Sequence, residues 1–186
     1  MNRVRKSNNI WAAVLLTVTL AACAGCGYTT RSGIASTYKS IYIPQFENRI
    51  DITRESDAAS RYKTYKPLLE ADITKALINR FLFDGNLRPV KAGTADVTLK
   101  GELVEFRREA LRYSSGDIVE EYRLVLVVNI SLLSNPEKNI IWEEKNFAGE
   151  STYFTSGVNT KSEGTAINDA VTDLCRRIVE RTVEQW

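Results

Sequence analysis

The side chains able to do chemistry in this chain are few in kind. None of its 186 residues is a histidine. No Ser-His-Asp or Cys-His nucleophile pair can be built from it, and no His-ligated zinc or haem site. Its three cysteines, Cys23, Cys26 and Cys175, support no thiolate metal cluster. Catalysis would have to rest on carboxylates, Lys, Tyr or Ser. The obvious carboxylate candidates are Glu120-Glu121 and Glu143-Glu144. Neighbours on a strand point to opposite faces, so neither pair converges on one substrate. One Glu from each could meet across a hairpin, but surface Glu on strands is ordinarily just solvated. No enzymatic activity, metal or cofactor is expected.

Anion recognition is the chemistry this inventory does offer. Lys100, Arg107, Arg108 and Arg112 fall close together, with Phe106, Leu111 and Tyr113 interleaved. Arg engages phosphate with paired N–H donors, and apolar neighbours suit an acyl chain. The competing expectation is that these cations only solvate a strand edge and discourage edge-to-edge pairing. A second basic run holds Arg49, Arg54, Arg61, Lys63 and Lys66, with Tyr62 and Tyr65. Glu47, Asp51, Glu55 and Asp57 dilute it, so it reads equally as an interface loop.

The N-terminal cysteines belong to a different pattern. Arg3, Arg5 and Lys6 precede the uncharged run Ile10–Ala22, which is too short for a comfortable membrane span and of the length of a signal-peptide core. Leu20-Ala21-Ala22-Cys23 then reads as a lipobox: small residues for the peptidase and a thiol to carry diacylglycerol. Cys23 is the better lipid-attachment residue, and Cys26 is the alternative. Residues 1–22 are expected to be a lipoprotein signal peptide and residues 23–38, rich in Gly, Ser and Thr, a lipidated tether. Residues 39–186 are expected to form a single domain. Without residues 1–22 and their three cations the net charge falls from +2 to −1. The sequence pI of about 8.4 is therefore no nucleic-acid signature. Cys175, in an oxidising compartment, is expected to be buried and free rather than bridged to an N-terminal cysteine.

These groups need elements to hold them. Ser40–Pro44 reads as a short strand ended by proline, and residues 47–66 as a long polar loop. Pro67–Phe83 reads as a helix with Leu69, Ile73, Leu77 and Phe81 on one face, Pro67 at its first position and Gly85 past its end. Leu87–Val90 is a brief extended piece. Residues 95–106 alternate as a strand, slipping at Val104-Glu105-Phe106 as a bulge would, and residues 107–119 carry the hairpin to a turn at Ser114–Asp117. Isolated Gly101 reads as a packing or bulge position. Residues 121–133 put Tyr122, Leu124, Leu126, Val128, Ile130 and Leu132 on one face that something large must cover. Residues 140–153 form the next strand. Residues 165–183 read as a second amphipathic helix, with Cys175 in its apolar stripe. The expected fold is α+β: a two-layer sandwich, two helices packed on one face of a mixed, mostly antiparallel four-stranded sheet.

At this level the chain resembles the LptE family of lipopolysaccharide-assembly lipoproteins. The resemblance is carried by Cys26-Gly27-Tyr28, Ile43–Asn48, Leu69–Gly85, Ala95–Gly101, Glu121-Tyr122-Arg123, Ile141-Trp142, and Glu163, Ala166, Ala170, Asp173 and Leu174. It implies a lipid-anchored outer-membrane protein, on the periplasmic side or within a β-barrel partner, that binds lipopolysaccharide and helps deliver it to the surface. On that reading Lys100, Arg107, Arg108 and Arg112 are candidate lipopolysaccharide or barrel contacts, and nucleic acid is not a partner. The alternative is an envelope scaffold or adaptor lipoprotein with another protein partner.

Overall fold

A computed structural model describes residues 37–50, 66–135 and 137–183. Cys23, Cys26, Arg54, Arg61 and Lys63 lie outside the described residues.

The strong alternation of the middle of the chain becomes a three-stranded antiparallel meander. Its strands are Val97–Tyr113, Val119–Ser134 and Ile140–Phe154. Ahead of them lie Ser40–Tyr42, Glu47–Asn48 and Arg88–Pro89. In chain order the strands are β1 (40–42), β2 (47–48), β3 (88–89), β4 (97–113), β5 (119–134) and β6 (140–154). The helices are α1, Leu69–Asp84, and α2, Glu163–Val183. The sheet runs β3-β1-β4-β5-β6, and β2 adds to β4 beyond the end of β1.

Six strands therefore replace the four expected. The class stands, α+β with a mixed sheet, but β2 and β3 lie where the sequence pattern reads as a loop and as a brief extended piece. Both are two residues long, and their pairings with β4 and β1 are parallel. Two residues carry no alternation to detect, so their strand character comes wholly from the neighbour they pair with.

Packing follows the alternation of β5. Leu124, Leu126, Val128, Ile130 and Leu132 are buried with Leu69, Ile73, Leu77 and Phe81 of α1 and Ala170, Leu174 and Ile178 of α2 in a single core. Both helices thus cover one face of the sheet. Two glycines set how closely they approach. A Cβ at Gly149 would stand 2.5 Å from Leu174 Cβ, and one at Gly101 would stand 2.2 Å from the Phe46 ring. Of the two roles the sequence allows Gly101, packing or a bulge, the structure gives it packing, since the register shift falls later, between Leu103 and Glu105.

The helix ends were partly legible. Gly85 leaves α1 in the left-handed region at φ 78°, its N–H donating to Phe81 O. The start differs. Pro67 sits in a turn, and exposed Leu68 takes φ 63° to enter the helix at Leu69. α2 begins at Glu163, two residues earlier than the start at Thr165 that the sequence indicates, because Ser162 Oγ accepts the Thr165 N–H at 3.1 Å and caps the first turn. Cys175 is buried and free, its thiol directed at Ile73 O, and burial pushes its pKa up to about 12.

Candidate functional site

The slip foreseen near Val104 is a real register shift between Leu103 and Glu105. It decides where the candidate cations point. Before it, Leu99 and Leu103 pair with Leu132 and Val128 on the covered face, which leaves Lys100 on the open one. After it, Phe106 pairs with Leu126 and Arg108 with Leu124, so Arg108 shares the covered face. Arg107 and Arg112 pair with Val125 and Glu121 and lie on the open face. The structure therefore brings Arg107 and Arg112 to one face and Arg108 to the other. Lys100 lies about 23 Å along the strand from Arg107, at roughly 3.3 Å per residue.

Each of the three arginines already has partners. Arg107 bridges Glu105 at 2.9 Å and Glu109 at 3.0 Å along its own strand. Arg112 reaches Glu121 across the hairpin at 3.8 Å and stacks over Phe154 at 5.7 Å. Arg108 is the most enclosed. It meets Glu163, the first residue of α2, at 3.0 Å and lies 4.9 Å over the Tyr122 ring, which stacks on Tyr153. Burial works against its charge, but Glu163 and the Tyr153 hydroxyl outweigh that and raise its pKa. Burial, with Glu163 second, raises Tyr153. This cluster fastens the hairpin to the start of α2, and its members Tyr122, Tyr153 and Glu163 had no local signal beyond their place on the covered face. Lys100 makes no ion pair; it edges a shallow depression of about 180 Å³ with Glu102, Asn129, Ser131 and Glu143.

The open face between these groups is a lattice of paired charge. Arg123 reaches Glu150 at 3.8 Å, Lys145 reaches Glu143 at 3.8 Å, and Arg49 reaches Glu47 at 2.8 Å. Beneath it Val125 and Val127 are only 6% exposed. The stems of Arg107, Glu105 and Glu109 stand on the same face and shield them, as long charged side chains do. From the second basic run, Lys66 pairs with Asp72 at 3.0 Å.

The carboxylate pairs do not meet. Glu121 stands opposite Phe154 near the hairpin tip. Glu144 stands opposite Ile130 on the covered face, ion-paired to Arg181, while Glu143 faces Ser131 on the open side. Some 11 strand positions, about 36 Å, separate the two regions along β6. The far edge of β6 is held by α2. Asp173 accepts the Glu150 N–H at 3.1 Å, and Arg177 donates to Ala148 O.

The architecture can be set beside known proteins. The family model for LptE, lipopolysaccharide-assembly, matches residues 38–182, which takes in the sheet and almost all of both helices. The chain belongs to the LptE family. No curated protein matches this LptE-family chain in sequence. Among solved structures it is similar to protein XCC0632 from Xanthomonas campestris, at 12% identity and TM-score 0.54, over 78% of this chain and 84% of that one. That likeness is one of fold. A minor lipoprotein from Acinetobacter baumannii matches at 18% identity and TM-score 0.47, over 78% and 91% of the two chains. The rare lipoprotein B from Shewanella oneidensis matches at 14% identity and TM-score 0.43, over 77% and 90%. Among the described residues of this LptE-family chain, no helix is long and apolar enough to cross a membrane.

Proposed function

We propose that this LptE-family chain is an outer-membrane lipoprotein that partners a β-barrel translocon and takes part in lipopolysaccharide transport and assembly. The observation that carries the reading is the family match over residues 38–182. Acylation at Cys23, or alternatively Cys26, anchors it, and the domain of residues 39–186 stands on the periplasmic side or within the barrel. Its work is binding and positioning, without catalysis or cofactor. The paired-charge lattice of the open face suits a polar protein wall better than a free phosphate, because a phosphate arriving at Arg107 has to displace Glu105 and Glu109.

The test is photo-crosslinking in intact outer membrane from positions 107 and 112 on the open face, followed by identification of what is captured. A β-barrel protein or lipopolysaccharide supports the reading. Capture of neither, with a normally folded chain, removes it. Mass spectrometry of the N-terminal peptide separately decides the anchor: diacylglycerol on Cys23 or Cys26 is expected. A binding assay assigns the arginines. If they hold glycolipid phosphate, R107E/R112E weakens lipopolysaccharide binding more at low salt than at high salt. If they serve the barrel, it releases the protein partner and leaves glycolipid binding intact.

A further inference from the structure

The two helices differ on the side turned away from the sheet. α2 is polar there: Arg176 pairs with Asp173 at 2.6 Å and with Glu180 at 2.8 Å, and Asp169 pairs with Lys161 at 2.9 Å. α1 is not. Ala71, Lys75, Ile78 and Leu82 recur at helical spacing, and Leu68 continues the row just ahead of the helix. At roughly 3.6 residues per turn this row lies opposite the buried row of Leu69, Ile73, Leu77 and Phe81. Leu68 is 66% exposed and Leu82 59%. α1 thus carries apolar side chains on two opposite sides, the pattern of a helix that is covered on both.

A cleft runs beside this outer row. Gln45, in the loop between β1 and β2, faces Ala71, Thr74, Lys75, Ile78 and Asn79 across a hollow of about 230 Å³. The Thr74 hydroxyl fixes that loop by accepting the Phe46 N–H at 3.0 Å, so the cleft is formed before anything enters it. It has room for a large apolar side chain. Lys75, in the middle of the row, is exposed and, among the described residues, makes no hydrogen bond, ion pair or ring contact. The carboxylate one turn back, Asp72, is taken by Lys66 at 3.0 Å. Leu68 adds an independent sign. It stands at the N-cap of α1 with φ 63°, a conformation that bulky side chains seldom adopt, and makes no capping hydrogen bond.

A second copy of this chain fits the row poorly, because a two-fold axis centred on it sets Lys75 against Lys75. The charge calls for a different surface, one that brings a carboxylate. We propose that the outer row of α1 docks on the β-barrel partner, at a patch that offers a large apolar side chain to the cleft and an Asp or Glu to Lys75. This rests on the barrel-partner reading above and adds a second contact to it. The row and the open sheet face lie on opposite sides of the two-layer sandwich, and a wall that surrounds the domain reaches both.

The experiment is photo-crosslinking of the full chain in intact outer membrane from positions 71 and 82, beside positions 107 and 112, with the captured peptides sequenced. Positions 71 and 82 should capture the same barrel protein as 107 and 112, at a peptide that carries an Asp or Glu. A71R fills the cleft with a good helix former and should lower co-purification of the barrel several-fold. K75E should lower it likewise and K75R should not, and changing the mapped carboxylate to Lys should restore recovery with K75E. Melting curves should match wild type, since these side chains lie outside the core. If A71R fails to fold, K75E and its charge swap decide. Normal recovery with folded K75E overturns the proposal. So does capture from 71 and 82 of lipid, a second copy or nothing while 107 and 112 still capture the barrel, and the barrel reading then stands. Capture of the barrel from none of the four positions removes both.

Discussion

Arg107 and Arg108 are neighbours of the same type on one strand, and they live in different molecules as far as electrostatics is concerned. Arg107 stands on the open face, bridged to two glutamates of its own strand. Arg108 stands on the helix-covered face, closed in by Glu163, Tyr122 and Tyr153. The strand's period of two does this, and the bulge after Leu103 sets which arginine goes where. The two faces differ in kind. The covered face binds the protein to itself through apolar burial and two partly enclosed ion pairs, Arg108–Glu163 and Arg181–Glu144. The open face binds charge to charge in water, over two valines.

The sharpest way to break this comparison is in the apolar layer. Leu126→Ala on the covered face should cost about 2–5 kcal/mol in chemical denaturation. Val127→Ala, its neighbour on the open face, should cost about 1.5 kcal/mol, two methyl groups at roughly 0.8 kcal/mol each. Equal losses would erase the distinction between the faces.

Next in size is the approach of α2 to β6. Gly149→Ala drives a methyl into Leu174, whose Cβ lies 2.5 Å away and whose backbone lies 2.6 Å away. Overpacking of this kind costs about 1–3 kcal/mol. Gly116→Ala at the hairpin tip meets open space and should leave the melting temperature unchanged. A tolerated Gly149→Ala would mean that α2 is not seated on β6.

The arginines themselves give a smaller effect. A double-mutant cycle on Arg108 and Glu163 should return about 1 kcal/mol of coupling, since both groups are partly enclosed. Cycles on Arg107 with Glu105 or Glu109 should return under about 0.5 kcal/mol, as exposed pairs do. Coupling of the same size at both positions would refute the contrast between the two arginines.

The smallest effect is where the chain enters the sheet. The Lys39 N–H and the Ser40 hydroxyl hold the Asp96 carboxyl below the usual carboxylate range. A carboxyl whose pKa is lowered on folding adds stability that is complete above its unfolded value of about 3.9 and fades as pH falls through its folded value. Wild type should therefore exceed D96N in stability at pH 7, and the gap should close below about pH 4. A gap that persists there would assign the effect to packing instead of charge.

How much of this was legible depended on whether the signal ran along the chain. The apolar stripe of β5 named the core face because Leu124 to Leu132 repeat with period two. The broken alternation at Val104-Glu105-Phe106 marked the bulge, and Gly85 marked the exit of α1. At the candidate site the four cations were legible as residues, but their faces and partners were not. Nothing in the residues around Arg108 announces Glu163, 55 positions away. The solitary Lys75 was equally silent: it looks no different from Lys161, which pairs with Asp169.

The sequence by itself determined the α+β class, the covered face of the meander and the burial of Cys175, because each is written in side-chain size and local period. Only the tertiary structure decided that residues 47–48 and 88–89 are strands and that Arg107 and Arg108 part company. The physical reason is the same in each case. A two-residue strand and an ion pair exist only through a partner, and β1 finds its partners 48 and 56 positions away, at Arg88 and Val97.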